Sequence, residues 1–368
     1  MNGNDGASLS THPDQDGPKG STRVDGIDVT KVSAWFVDNI PGAKPPFSFR
    51  LVAGGRSNLT FEVTDAGTGH WVLRRPPTGQ VLPTAHDMAR EFRLISALRP
   101  AGVPVPTVLG LCKEPAVNGA PFYVMEFVDG HILRGSAQAE KALTLSARGT
   151  ASESLIDTLV LLHQVDPDAV GLGDLARRDG YIARQLRRWY GQYQASRDEH
   201  GGPDIPDIDA THALLSANIP DQGAAAIVHG DYRLDNVVVD DDGRVQAVLD
   251  WELCTLGDPM ADVGVLVAYW AEPGDEVTAL ADPPTLAEGF LTRQEVAARY
   301  GEASGRDLRD LDFYVAFGYW KLACIIEGVY ARYVGGSMGD DGADIAGYRS
   351  SIDWLAASAR RRTEALGK

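Results

Sequence analysis

Two apolar, β-branched runs meeting at an acidic turn constrain this chain more than any other feature. Residues 228–262 read VHGDYRLDNVVVDDDGRVQAVLDWELCTLGDPMAD. NVVVD and VQAVLD have strand composition, and Asp242-Gly243 between them is a two-residue hairpin signal. With that turn, Asp241 pairs with Arg244, and counting outward sets Asn236 opposite Leu249. Asp250 then lies one residue beyond, at the open end of the hairpin and close to Asp231. An amide oxygen and a carboxylate converge there. Hard oxygen ligands beside a base are what Mg²⁺ and a nucleotide triphosphate need.

Asp231 and Asn236 also stand five positions apart. That is the D-x-x-x-x-N spacing of kinase catalytic loops, in which the Asp takes the substrate hydroxyl proton and the Asn holds a metal ion. The spacing alone is common, and Asp-rich turns are usually just solvated. The hairpin arithmetic and the GDPMAD that follows raise it above coincidence. HGDYRLDN, LDWE and LGDPMAD together resemble the aminoglycoside phosphotransferase and choline kinase-like family, which shares the protein-kinase fold. The likeness is closest to the branch fused to acyl-CoA dehydrogenases. GGRSNLTF, WVLRRPPTG, AHDMAREFRLISAL, FYVMEFVDG and WKLACIIEGVYARY support it in order, over most of residues 30–334.

The resemblance implies an α+β, two-lobed kinase-like fold. Residues 1–22, polar and without an apolar signal core, read as a disordered tail. Residues 23–130 would form an N-lobe with a five-stranded antiparallel sheet that binds nucleotide. Residues 131–368 would form a mostly helical C-lobe that carries catalysis and the acceptor. The pattern agrees. Val32, Trp35, Phe36 and Ile40 have helical spacing before Pro41. Strand-like FSFRLVA, LTFEVT, HWVLRR, PTVLGLCK and PFYVMEFV surround a helix at about 84–98, with Thr84 as its N-cap. Helical periodicity then dominates, in SLIDTLVLLHQV, YIARQLRRWYGQY and DFYVAFGYWKLACIIEGVYARYV. The hairpin 236–250 is the main β element expected there, and a last helix is expected at about 345–365.

Composition narrows the partners. With 34 Lys and Arg against 51 Asp and Glu, the net charge of −17 argues against nucleic acid. No stretch reaches the roughly 20 apolar residues of a membrane span. Cys112, Cys254 and Cys324 lack metal-like spacing and sit in apolar surroundings, which suits reduced thiols in the cytoplasm.

Several further residues carry chemistry. Met88, Glu91, Phe92 and Ile95 share one helix face, so Glu91 is a carboxylate on an inward stripe and needs a cation. Laying WVLR over the kinase V-A-I-K strand offers Arg74, on the position of the lysine that binds α- and β-phosphates. Arginine departs from the family's usual lysine, yet its fork binds carboxylate and phosphate well. Gly54, Gly55, Ser57 and Asn58 resemble the nucleotide-covering loop. By resemblance the Glu126 carbonyl and Val128 amide meet the adenine edge. His229 and His163 read as packed structural residues. Arg233 either neutralises γ-phosphate charge, contacts the acceptor, or lies on the surface. Asp235 orders the loop. Asp262 and Asp258 suit a helix N-terminus, and Asp262 is a candidate tie for the catalytic loop.

The expected activity is ATP- and Mg²⁺-dependent transfer of a γ-phosphoryl group to a small-molecule hydroxyl. Asp231 and Arg233 would act on the acceptor, and Asn236 and Asp250 would hold metal. The branch points to a hydroxylated acyl or lipid-derived acid as acceptor; the family name points to aminoglycosides. Arg74 favours a third reading, a silent nucleotide-binding regulatory protein. A fourth, a metal-dependent hydrolase, would use His229, Asp231 and Asp250.

Overall fold

A computed structural model describes residues 24–54, 58–78, 87–200, 204–275, 277–279, 281–336 and 345–366. The described chain starts on α1 (Val29–Asn39), whose N-cap Asp28 accepts from the Lys31 N–H at 3.2 Å. Val32 and Phe36, one turn apart, are fully buried, and the helix ends before Pro41, as its spacing predicts. Strands β1 (Ser48–Gly54), β2 (Leu59–Thr64) and β3 (His70–Arg75) follow as an antiparallel meander. Helix α2 (Met88–Leu98) then intervenes. It starts later than the expected residue 84, and Asp87, a residue type favoured ahead of a first turn, stands outside it. The proposed cap Thr84 lies outside the described residues. Strand β4 (Val108–Cys112), a single helical turn α3 (Pro115–Asn118) and β5 (Phe122–Glu126) complete a five-stranded antiparallel sheet ordered β1-β2-β3-β5-β4.

The chain divides into two compact units, residues 1–88 with 109–124 and residues 89–108 with 125–368. The core of the first is the sheet packed on α1. Phe36 meets Phe47, Phe49 and Trp71 in ring contacts of 5.3, 6.1 and 5.7 Å, with Phe61, Leu73 and Phe122 buried around them. Arg75, on the same side of β3 as Trp71 and Leu73, is buried too. Its guanidinium donates to the carbonyls of Gly26, Pro76 and Asn118, closing the start of the described chain onto the sheet.

The second unit is helical around two short ladders. Its elements run α4 (Ser136–Ala142), α5 (Leu145–Gln164), α6 (Tyr181–His200), α7 (Pro206–Ala217), β6 (Ala226–Val228), β7 (Val237–Val239) and β8 (Val245–Val248). They continue through β9 (Thr255–Gly257), α8 (Met260–Tyr269), α9 (Arg293–Ser304), α10 (Leu311–Val334) and α11 (Ile345–Ala365). Every residue of α10 from Phe313 to Cys324 is buried, as expected of a helix apolar nearly all round; α6, α8 and α11 pack against it. The hairpin β7–β8 was expected. The β6–β9 ladder was not, because three-residue strands carry too little pattern to announce themselves. No helix among the described residues is long and apolar enough to cross a membrane. All three cysteines are free and buried.

Candidate active site

The hairpin sets the geometry. Val237 pairs with Val248 and Val238 with Ala247, and the Leu249 N–H donates to the Asn236 carbonyl at 2.8 Å. Asn236 therefore stands opposite Leu249, with Asp250 next to it. The turn itself corrects the expected two-residue loop. The Asp240 N–H donates to the Arg244 carbonyl and the Gly243 N–H to the Asp240 carbonyl, both at 3.0 Å, so three residues, 241–243, make the loop. Gly243 takes φ 87°, the left-handed end of a three-residue hairpin. The Asp240 carboxylate explains the preference, since it accepts from the Asp242 and Arg244 N–H groups at 3.0 and 2.8 Å. Farther on, Val239 pairs with Val245, so Gln246 bulges out. Turn and bulge each shift the register by one, in opposite senses, and cancel at the open end.

Asp250 is the only non-glycine residue at positive φ among the described residues, with φ 63° and ψ 66°. Such a conformation persists where the surroundings enforce it, and it concentrates at functional sites. Here it breaks the strand, so the chain turns directly into the single 3₁₀ turn at Trp251–Leu253.

The loop before the hairpin is tied to several elements. Asp262, in the first turn of α8, accepts from the His229 N–H at 2.7 Å and the Gly230 N–H at 2.8 Å. His163 of α5 approaches the same carboxylate at 3.2 Å, and its other ring nitrogen meets the Tyr300 hydroxyl at 2.8 Å. Burial holds His163 below its ordinary pKa. Burial also works against the Asp262 charge, but His163, His229 and the Gly230 amide outweigh it and keep that carboxyl low. The pair is a neutral imidazole donating to a carboxylate. Gly230 has φ 89°, and a Cβ there would stand 2.9 Å from the Leu253 carbonyl oxygen, so no other residue fits before Asp231. His229 donates through Nε2 to the Leu249 carbonyl at 2.9 Å and accepts the Asp231 N–H on Nδ1 at 3.2 Å. Both nitrogens are occupied, which makes it a structural residue and takes away the hydrolase reading's histidine ligand.

Asp231 is half-buried. The Asn236 amide donates to its backbone carbonyl at 2.8 Å and its Oδ2 at 3.0 Å, and burial and the Asp231 charge raise the Tyr269 hydroxyl well above its usual pKa. Arg233 reaches Asp231 at 3.5 Å and Asp235 at 2.9 Å, and lies 4.7 Å from the centre of the Tyr269 ring. Burial opposes the Arg233 charge, but Asp231, Tyr269, Asp235 and Asp250 hold its pKa above the usual range. Burial lifts the Asp235 carboxyl, against the pull of Arg233. Asp258 caps the Met260 N–H at 3.0 Å and accepts from the Tyr314 hydroxyl at 2.6 Å, so it faces the protein interior.

The donor set suits Mg²⁺. With its Nδ2 committed to Asp231, Asn236 keeps Oδ1 available for a metal, and Asp250 follows the residue opposite it on the hairpin. Two hard protein oxygens leave room for phosphate and water, the usual pattern for this ion. Among the described residues no three His, Cys, Asp or Glu side chains cluster as a metal cage.

The remaining predicted residues fall as follows. Gly54 ends β1, paired with Leu59, and Asn58 is buried; Gly55 and Ser57 lie outside the described residues. Arg74 stands on β3 opposite Thr60 and is buried, in the first unit. In the second, Glu91 is 2% exposed on α2, as its helix face predicts. Glu126 ends β5, its N–H donating to the Thr107 carbonyl at 2.8 Å and its carboxylate accepting from the Thr107 N–H at 2.9 Å. Val128, two residues on, is half-buried. Sequence reasoning assigned no role to Lys321, Tyr269 or Tyr314, which reach the loop and its supports from far along the chain.

Comparison with known proteins shows the family and the fold. Residues 48–314 match the model of the Phosphotransferase enzyme family (APH). Acyl-CoA dehydrogenase family member 10 of Mus musculus is 36% identical over 297 residues, covering 80% of this chain and 27% of that protein. Acyl-CoA dehydrogenase family member 11 of Homo sapiens is 34% identical over 289 residues, 77% of this chain and 36% of its own length. The chain thus spans about a quarter to two fifths of the curated relatives it matches. A Ralstonia eutropha JMP134 protein, provisionally described as an aminoglycoside phosphotransferase, superposes with a TM-score of 0.75 at 31% identity, over 92% of this chain and 98% of that one. Choline kinase from Cryptosporidium parvum Iowa II shares the fold, with a TM-score of 0.62 at 11% identity over 92% and 97%.

Proposed function

The chain belongs to the phosphotransferase enzyme family, and from that premise we propose that it transfers the γ-phosphoryl group of ATP, with Mg²⁺, to a hydroxyl of a hydroxylated acyl or other lipid-derived acid. The observation that carries the reaction type is the meeting of Asp231, Asn236 and Asp250 at the mouth of one hairpin. Asp231 orients the acceptor hydroxyl and takes its proton, while Asn236 turns its amide toward Asp231 and its oxygen toward the metal side. Bound Mg²⁺ would neutralise phosphate charge between Asn236 and Asp250. Arg233, braced by Asp235 and Tyr269, faces the reacting groups as a fixed positive charge. Arg74, Asn58, Gly54, Gly55 and Ser57 take the nucleotide phosphates, with Glu91 as the carboxylate that the sequence pattern assigns to Arg74. The Glu126 carbonyl and Val128 amide take the adenine edge. Positioning and charge stabilisation would supply most of the rate.

The acceptor class rests on two supports. The two curated relatives named above are called acyl-CoA dehydrogenase family members, and this chain matches only part of each. Beside Arg233 and Asp235, a small cleft is lined mainly by the apolar side chains of Leu234, Leu266, Trp270, Pro283 and Pro284, with Tyr269 and Thr285. An alkyl chain suits the apolar part of that lining; a polycationic sugar needs several carboxylates. ADP release should therefore depend on hydroxy acids or hydroxyacyl thioesters and not on aminoglycosides. Asp231→Asn should bind MgATP as wild type does while acceptor-dependent release falls by roughly 10²–10⁴-fold. Acceptor-dependent turnover in Asp231→Asn equal to wild type would overturn the assignment of the base. Arg74 in the place of the usual lysine favours one rival, a nucleotide-binding regulator, which would bind MgATP and release no ADP with any acceptor.

A further inference from the structure

Lys321 is a buried cation that the reaction, as described, does not use. It lies within α10, 91 residues beyond Gly230, and is 4% exposed. Its Nζ donates to the Gly230 carbonyl at 2.6 Å and stands 5.5 Å from the centre of the Trp189 ring of α6. Burying an ammonium costs several kcal/mol unless its surroundings compensate it. Burial indeed pulls the Lys321 pKa down, and Asp231 and Asp262 pull the other way. An apolar residue would fill α10 without that cost, so the contact at Nζ needs a reason.

The reason lies in which peptide it grips. The Gly230 carbonyl and the Asp231 N–H belong to one peptide unit. Lys321 holds its oxygen, and His229 Nδ1 holds its N–H at 3.2 Å. The preceding peptide is fixed by Asp262, through the Gly230 N–H at 2.8 Å. Gly230 supplies no side chain to resist rotation of the unit, so orientation rests on these contacts. The direction of the Asp231 side chain follows from the plane of that peptide. A displacement of about 1 Å at a reacting group is enough to cost on the order of 10²-fold in rate.

We propose that Lys321 is a positioning residue for phosphoryl transfer, holding the Gly230–Asp231 peptide so that the Asp231 carboxylate points at the acceptor hydroxyl. The proposal rests on the reading of Asp231 as the catalytic base. Lys321→Met keeps length and removes the donor; Lys321→Gln keeps an N–H donor and removes the charge. Lys321→Met should lower kcat for acceptor-dependent ADP release by about 10–10²-fold, with the MgATP Kd within about threefold of wild type. Lys321→Gln should recover part of the loss. In an Asp231→Asn background Lys321→Met should have no further effect on kcat, since the two residues act as a unit. Hydrogen exchange provides a readout independent of turnover: in Lys321→Met the amides of 229–236 should exchange faster while those of α5 and α11 keep their protection. Wild-type kcat with unchanged exchange in Lys321→Met would overturn the proposal. So would equal fractional losses in the wild-type and Asp231→Asn backgrounds, the mark of general destabilisation. If Lys321→Met fails to fold, Lys321→Gln carries the same comparisons. If the wild-type protein releases no ADP with any acceptor, the reading of Asp231 as a base fails, and exchange alone decides whether Lys321 holds the loop.

Discussion

Asp250 combines two demands that different substitutions separate. It carries a carboxylate and it occupies φ 63°, where only glycine and, less freely, asparagine and aspartate are at ease. Asp250→Asn keeps the conformation and removes the charge, so it should fold as wild type while losing magnesium-dependent MgATP affinity. Asp250→Ala should lose the same affinity and an additional ~1 kcal/mol of stability, because its Cβ is strained there. Asp250→Gly should melt above Asp250→Ala for the converse reason. Calorimetry beside urea unfolding checks all three; equal MgATP affinity in wild type and Asp250→Asn would remove Asp250 from the metal site. The carboxylate was legible from residue counting along the hairpin. Its backbone angle was not, since nothing in LDWE announces a left-handed residue.

The hairpin shows what strand-level reading captures and what it misses. Two apolar, β-branched runs and an Asp-Gly turn were enough to set Asn236 opposite Leu249. The inner detail was wrong in two compensating ways, because Asp240 stabilises a three-residue loop and Gln246 absorbs the offset as a bulge. The turn also has a tertiary role invisible in the sequence. A Cβ on Gly243 would sit 2.0 Å from the Ala147 carbonyl and 2.9 Å from the Ala151 amide, so the turn is pressed onto α5. Gly243→Ala should therefore cost about 2–4 kcal/mol, more than an exposed turn glycine would. Its urea midpoint would register the loss, and a shift below ~1 kcal/mol would mean that the hairpin tip can lift from α5 freely. Helices α1, α5, α6, α10 and α11 were legible because their apolar periods run three turns or more. The start of α2 was not, since a cap-type residue at both 84 and 87 leaves two equal choices.

At the scale of the molecule, stability should respond to acid through buried His163 and half-buried His212. Burial lowers the pKa of both His163 and His212, so the folded state binds fewer protons than the unfolded state below about pH 6.5. Their contribution is complete above that value and is lost as pH falls, by up to about 1.4 kcal/mol per pH unit for His163 and by less for His212, which solvent screens. Asp262, also held low, adds a loss of the same sign at more acid pH, below the ordinary carboxylate range. Asp235 and Asp258, raised by burial, act oppositely as pH falls through their raised values. Urea midpoints at about pH 7.5 and 5.5 isolate the histidine window, and His163→Gln should flatten the difference. An unchanged slope in that variant would mean that His163 takes up its proton at the same pH in the native and unfolded protein. These long-range ties were the least legible part of the site. Asp262 was recognisable as a candidate tie, but its partners at 163, 229 and 230, and Lys321 at a remove of 91 residues, exist only once helices are packed. The same ties have a consequence for engineering. The loop proposed to be catalytic is gripped by α5, α8 and α10, whereas Pro283 and Pro284 of the cleft beside Arg233 belong to a separate segment between α8 and α9. Acceptor preference should be open to redesign by mutagenesis of 283–285, with the phosphoryl-transfer chemistry carried along unaltered.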